Sequence, residues 1–350
     1  MPPDSLKLFD DIERTYLGPS KFSEARWIFM NRTALPGYEY LRVFLQNWFD
    51  DYQTSSVKRY SLWKNFHSDK DDEHLSAFFE LYLCQLFKAQ SFKVEIEPEW
   101  ESKRPDFLLS LSSGQKILLE ATGLYPENKF SKSKKQEQLV IDYLNEHLHS
   151  PNFFLHIRIS RSPVGKPPSA QILRQVEQFL SRLNYDEVVE RSQNDVNMGL
   201  ERFPSTICDH QTWSIEIIAI PKKDIARGKP GMRPVGSMFY DVVTVNTASH
   251  IKHSIDRKYG HYGDLNVPYL LALNVMEDHY NEESLLEALF GEEITYYNLE
   301  TGELSRSRKP NGSWVRDSGH YQKQRMSAVC VFNKLRPETM DSVNPIVWHH

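Results

Sequence analysis

Arg104-Pro105-Asp106-Phe107-Leu108-Leu109-Ser110-Leu111-Ser112-Ser113-Gly114-Gln115-Lys116-Ile117-Leu118-Leu119-Glu120-Ala121-Thr122 is the stretch whose reading decides the fold. Two apolar runs, Phe107 to Leu111 and Ile117 to Leu119, flank Ser112-Ser113-Gly114, which is the pattern of a β-hairpin. A three-residue loop closing on glycine suits a type I turn followed by a left-handed residue, and Gly114 stands where that residue is needed. With these three residues as the loop, Leu111 opposes Gln115, and counting outward sets Asp106 opposite Glu120. A bulge would shift the register by one. In the unshifted register both carboxylates share one face, with Cβ atoms roughly 4.5–5.5 Å apart. The pairs Leu108/Leu118, Leu109/Ile117 and Phe107/Leu119 make both faces apolar, as in a sheet covered by helices on each side.

Two like charges opposed on a largely buried strand pair repel, so one is expected to take a proton. A divalent cation removes the conflict, because hard cations such as Mg²⁺ take carboxylate oxygens. The plainer alternative is that both carboxylates reach solvent at the rim of the sheet. Upstream, Leu75, Phe78, Phe79, Tyr82, Leu83, Leu86 and Phe87 recur at helical spacing. Asp71, Asp72 and Glu73 fall near the start of that helix, where acidic side chains complement the dipole. Glu80 lies at the border of the apolar stripe, from which a carboxylate can lean over the end of the sheet. Phe92 to Glu97 then alternates like a strand leading into the hairpin.

Pro105-Asp106, thirteen further residues and then Glu120-Ala121-Thr122 resembles the PD-(D/E)xK nuclease superfamily. The preceding helix and strand follow the family's order, and the resemblance covers about residues 73–143. It implies a restriction-endonuclease-like core. It also implies that Asp106 and Glu120 bind Mg²⁺, with Mn²⁺ as a substitute, that Glu80 is an outer acidic ligand and that the Ala121 carbonyl adds a ligand. The lysine that the family carries two positions after the glutamate is Thr122 here, a departure. Thr122 acting through a water, or a displaced Lys129 or Lys132, is then expected to serve water activation. The basic run that holds them, through Lys132, Lys134 and Lys135, also supplies candidate phosphate contacts. A solvated charge run is the alternative account of that segment.

Composition sets the frame. At 40% hydrophobic and 25% charged, the 350 residues read as an ordinary globular chain with ample sequence for a core. A net charge of −5 argues against coating nucleic acid by bulk electrostatics, while leaving room for a nuclease whose basic residues are local. Cys84, Cys208 and Cys330 lie far apart with no CxxC pair, which suggests neither a zinc ribbon nor a disulfide framework. No run approaches the ~18–20 apolar residues of a membrane span. The first residues lack the charged start and apolar core of a signal peptide, so a cytoplasmic protein is expected.

Three parts are expected along the chain: a helical N-terminal lobe over 1–68, the nuclease-like core over 69–185, and an α/β extension over 186–350 packed on it. The lobe is rich in aromatics, and its Lys58-Arg59-Tyr60 and Trp63-Lys64 read as a core-facing stripe with solvated charges. Phe153 to Ile159 reads as a strand and Ile172 to Leu183 as a helix, completing an α/β alternation that implies a mixed β-sheet flanked by helices. Residues 186–212 read as a loop-rich insertion. Strands follow at Trp213 to Ile220, Tyr240 to Val245, Pro268 to Val275 and Met326 to Phe332. His250 to Tyr259 is a helix whose basic face suits phosphate, and Thr301 to Gly319 is an exposed basic loop. His250 and His253 have metal-chelating spacing but no matching third ligand.

The function expected from this reading is a metal-dependent nuclease acting on nucleic acid, DNA by likeness to the family, with no membrane partner. Its rival is a nuclease-fold binding or structural module whose site has decayed, which Thr122 favours. A homodimer and partner proteins both stay open.

Overall fold

A strand covered on both faces must be apolar at nearly every position, and that rule selects the middle of the sheet here. The computed structural model describes residues 6–100, 103–125, 131–161, 165–194, 199–210, 212–239, 246–260, 265–315, 322–323 and 325–349, with backbone alone at 131–134 and 236–239. They divide into two units: Met1–Pro19, Ala25–Glu127 and Val245–His350 form one, Ser20–Glu24 and Asn128–Thr244 the other.

The chain opens in the first unit with helices α1 (Arg26–Arg32), α2 (Tyr38–Asp50), α3 (Ser56–Phe66) and α4 (Asp71–Ala89), then strands β1 (Lys93–Ile96), β2 (Phe107–Ser110) and β3 (Lys116–Leu124). The second unit supplies α5 (Ser131–His147), β4 (Phe153–Arg161), α6 (Ser169–Leu180), α7 (Tyr185–Asn194), β5 (Ser205–His210), β6 (Trp213–Pro221) and β7 (Val235–Phe239). The chain returns to the first unit with α8 (Thr247–Tyr259), β8 (Tyr269–Val275), α9 (Glu282–Phe290), β9 (Glu293–Tyr297), β10 (Leu304–Arg308), β11 (Met326–Asn333) and β12 (Ile346–His349).

Among the described residues of the first unit, six strands form a mixed sheet in the order β1-β2-β3-β8-β11-β12. β1, β2 and β3 are antiparallel, β8 runs parallel to both β3 and β11, and β12 closes the edge antiparallel to β11. Alternation divides the side chains between two cores. Phe107, Leu109, Leu119, Ala272, Cys330 and Phe332 pack with α4 and the N-terminal helices. Leu108, Leu118, Leu271, Leu273, Val329 and Val331 pack with α8 and α9. A polar group sits in the middle of the sheet. Asn274 is fully buried, and its amide both donates to and accepts from the backbone of Leu335, so no hydrogen-bonding capacity is stranded there.

The hairpin forms as its turn chemistry dictates. Gly114 has φ +86°, its N–H donates to the Leu111 carbonyl at 2.9 Å, and Leu111 N–H donates to Gln115 O at 2.9 Å. The ladder then pairs Ser110 with Lys116 and ends at Phe107 with Leu119, in the register predicted from the sequence.

The sheet is assembled differently from the expected chain order. Phe153–Arg161 does not join the hairpin; it pairs with β6 and β7 in the second unit, where the sheet order is β5-β6-β4-β7 among the described residues. The hairpin's neighbour is β8, more than a hundred residues further on. The expected limits at 68/69 and 185/186 therefore differ from where the two units divide: α1 to α3 share a core with the sheet, and the last hundred residues supply half of its strands. Residues 186–212 hold much of α7 and all of β5, where a loop-rich insertion was expected. Part of the expected loop at 301–319 is strand β10. The expected strand at 240–245 lies outside the described residues. Among the described residues, no helix is long and apolar enough to cross a membrane.

Candidate functional site

β3 outruns its hairpin partner, and the site begins where it does. The β2 ladder stops at Leu119, while β3 continues to Leu124 alongside β8. On the β8 side, Leu118 N–H donates to Pro268 O, and Leu124 O accepts from Met276 N–H. Even-numbered residues of β3 thus turn their backbone groups toward β8, and odd-numbered ones turn theirs to the other edge. Ala121 follows this rule: its N–H donates to Asp106 Oδ2 at 2.8 Å. Its carbonyl, directed to the same edge, faces the Asp106 side.

Side chains alternate across the strand as well. Asp106, opposite Glu120 by continuation of the ladder, shares with it and with Thr122 the face covered by α8. Glu120 is 4% exposed. From the last turn of α8, Lys258 places its Nζ 2.5 Å from Glu120 Oε2. Burial pushes the Asp106 carboxyl up to about 7, and the Glu120 charge adds to the rise. Lys258 and the Ala121 N–H pull it back, while Glu80 pushes it slightly further up. The Asp106 carboxyl is thus held in its protonated form to a higher pH than an exposed aspartate.

A second group of charges stands beside the first. Glu80, on α4, accepts at Oε2 from the Tyr52 hydroxyl at 3.2 Å and from Lys58 Nζ at 3.1 Å. Lys58 also reaches Glu97 Oε1 at 2.6 Å. Burial pulls the Lys58 ammonium down, but Glu80 and Glu97 outweigh it and hold it above its ordinary value. Burial and the Glu80 charge push the Tyr52 phenol far up, so it stays a donor. Glu97 sits at φ +46°, an uncommon backbone state for a residue with a side chain, and its N–H donates to Asp106 O at 2.9 Å. That bond ties the strained residue to the backbone of Asp106. Strain of this kind costs about 1–3 kcal/mol and collects at functional sites.

The residues singled out in the sequence are therefore partly gathered. Asp106, Glu120, Ala121 and Thr122 lie on one stretch of sheet, and Glu80 is near enough for its charge to act on Asp106. Lys129 lies outside the described residues, as do the side chains of Lys132 and Lys134. Lys135 is an exposed residue of α5 in the second unit. Two residues that sequence reasoning passed over complete the first-unit site. Lys258 belonged to a helix whose basic face was expected to meet phosphate; nothing in its spacing pointed to Glu120. Lys58, expected among solvated charges, has a side chain only 17% exposed. His250 donates from Nδ1 to Glu277 Oε1 at 2.5 Å, while His253 is exposed.

As a cation site the donor set is hard oxygen: two carboxylates and one carbonyl on a strand edge, which suits Mg²⁺. Among the described residues, no group of three or more His, Cys, Asp and Glu side chains is arranged to hold a metal. That agrees with Glu80 being engaged by Tyr52 and Lys58. In comparisons with protein-family models, curated proteins and solved structures, no match to the chain was found.

Proposed function

We propose that the first unit is a restriction-endonuclease-like phosphodiesterase that cuts nucleic acid, DNA in preference to RNA, at Asp106 and Glu120. The observation that supports it is the opposed pair itself: Asp106, raised to about 7 by burial and by the Glu120 charge, is held at Oδ2 by the Ala121 N–H at the end of the β2 ladder. Asp106, Glu120 and the Ala121 carbonyl would hold one Mg²⁺ or Mn²⁺, which when bound acidifies a water and offsets charge on the scissile phosphate. Lys258 brings to the Glu120 carboxylate the ammonium that Thr122 does not supply. From there it can meet a phosphate oxygen or hold the attacking water. Thr122, on the same face, offers a hydroxyl for that water. Lys58 keeps Glu80 and Glu97 turned to itself and limits the excess negative charge that an incoming phosphate meets. The preference for DNA rests on likeness to the family alone.

The decayed-module reading has its own support, because Lys258 and Lys58 already neutralise two of the carboxylates without an ion. Cleavage assays on single- and double-stranded DNA and RNA, in Mg²⁺ and in Mn²⁺, separate the two. The enzyme reading expects ion-dependent cutting that Asp106→Ala abolishes while nucleic-acid binding persists. Absence of cutting by the wild type on every substrate form and in both ions would leave the module.

A further inference from the structure

The first unit carries a second hairpin whose surroundings are unlike those of β2–β3. β9 and β10 form a two-stranded ribbon that joins no other strand among the described residues. Its base is clamped. Gly291 has φ +97°, and a Cβ there would collide with the Lys309 carbonyl; a Cβ on Gly312 would meet the Leu289 carbonyl. Arg308 donates to Gly291 O at 2.8 Å and to Glu283 on α9 at 2.6 Å. Beyond this base the ribbon leaves apolar surface in water: Tyr296, Tyr297, Leu304 and, at 88% exposure, Leu299. An isolated two-stranded hairpin is marginal in water, and an apolar one invites a covering surface.

Charge decides what covers it. The tip, Asn298 to Glu303, contains Glu300 and Glu303 and no basic residue. The ribbon's cations each face a carboxylate: Arg308 pairs with Glu283 and Lys309 with Glu292 at the base, and Arg306, midway along, lies 3.5 Å from Glu293. Such a ribbon repels phosphate, so nucleic acid is disfavoured. The open edges differ from each other. Asn298 N–H donates to Glu303 O and Lys309 N–H to Glu292 O, so even-numbered residues of β9 face β10. Glu293, Thr295 and Tyr297 therefore direct their backbone groups outward. A two-fold axis at Thr295 would set Thr295 against itself, Glu293 against Tyr297 and Ile294 against Tyr296, so that all three outward residues meet outward residues and no like charges are opposed. On the β10 edge the outward residues are Leu304, Arg306 and Arg308, and the equivalent axis would set Arg306 against itself, an unfavourable pair.

We infer that the β9 edge is a self-association surface, on which a second copy of this chain adds antiparallel to make the sheet β10-β9-β9-β10. Main-chain bonds supply the affinity and the Ile294–Tyr296 contacts the register, as in strand addition generally. A single pair of five-residue strands, whose gain is offset by the cost of association, is expected to dissociate on the order of micromolar concentration. The inference is independent of the chemistry proposed for Asp106 and Glu120.

Sedimentation of the full chain across a concentration series tests it. The wild type is expected to approach twice 41.0 kDa as concentration rises. Thr295→Pro removes an outward donor but no bond of the ribbon's own ladder, and should weaken the dimer on the order of a hundredfold. Thr295→Lys, which opposes like charges at the axis without touching the backbone, should do the same should the proline variant fold poorly. Arg306→Pro, on the other edge, should leave the dimer intact. A wild type that stays monomeric at about 100 μM, well above the expected dissociation range, would overturn the inference. So would Thr295 variants that dimerise as the wild type does, or an Arg306→Pro variant that dissociates as they do.

Discussion

Two hairpins in one unit have opposite fates. β2–β3 is buried on both faces, and the register set by Ser112-Ser113-Gly114 fixes where two carboxylates meet. β9–β10 has as regular a ladder, but almost every position is exposed. The same local pattern thus becomes a site in one place and a surface in the other. What separates them is cover: α4 and α8 desolvate the first hairpin, so charge there has consequences that it lacks in water.

The sharpest way to break the comparison is to remove the charge that burial makes costly. With Asp106 and Glu120 holding an ion as proposed, Asp106→Ala is expected to lower phosphodiester cleavage by roughly a thousandfold or more, read from single-turnover rates. In the same assay Tyr297→Ser, on the exposed hairpin, should leave the rate unchanged.

Lys258→Met should come next, now measured as stability. It removes the Lys258 ammonium from the buried Glu120 carboxylate and should cost about 3–5 kcal/mol in the unfolding of the first unit, measured by denaturant titration. A cost under about 1 kcal/mol would mean that the pair is solvent-screened. Gly114→Val forces a β-branched residue into φ +86° and is expected to cost about 1–2 kcal/mol, with loss of cleavage if the register slips.

The pH dependence is a gentler probe. Asp106 has its folded pKa raised from 3.8 to about 7, so the native state holds a proton that the unfolded chain has released. Between about pH 4 and 7 its contribution to stability therefore falls as pH rises, by at most about 1.4 kcal/mol per pH unit for one proton. Asp106→Asn should flatten that slope. With the ion held as proposed, Mg²⁺ should raise stability at pH 8 more than at pH 5 in the wild type and not in the variant, which thermal melts at the two pH values would show. The smallest effect is expected at the exposed hairpin, where Tyr297→Ser should change stability by less than about 0.5 kcal/mol.

Much of the site's first half could be read locally. A glycine that must go left-handed set the loop, the loop set the register, and the period of two put Asp106 opposite Glu120. The basic helix carrying Lys258 was visible too, but not its target. Lys258 and Glu120 are separated by 138 positions and meet only because α8 crosses the face of β3. Lys58 was misplaced for a similar reason: its helix packs on α4, and periodicity gives the buried face without naming the carboxylates found there. The strand expected at 153–159 belongs to the second unit's sheet and not to the hairpin's, because an apolar run looks alike in any sheet that buries it.

The sequence by itself determined the elements and the one tight turn, since these depend on residues within a few positions of each other. Tertiary structure alone decided that β8 and β11 extend the hairpin's sheet, that Lys258 answers Glu120 while Lys58 answers Glu80 and Glu97, and that the second hairpin stays exposed within one copy of the chain. Those outcomes depend on which apolar faces meet, and many pairings of faces satisfy the same local pattern.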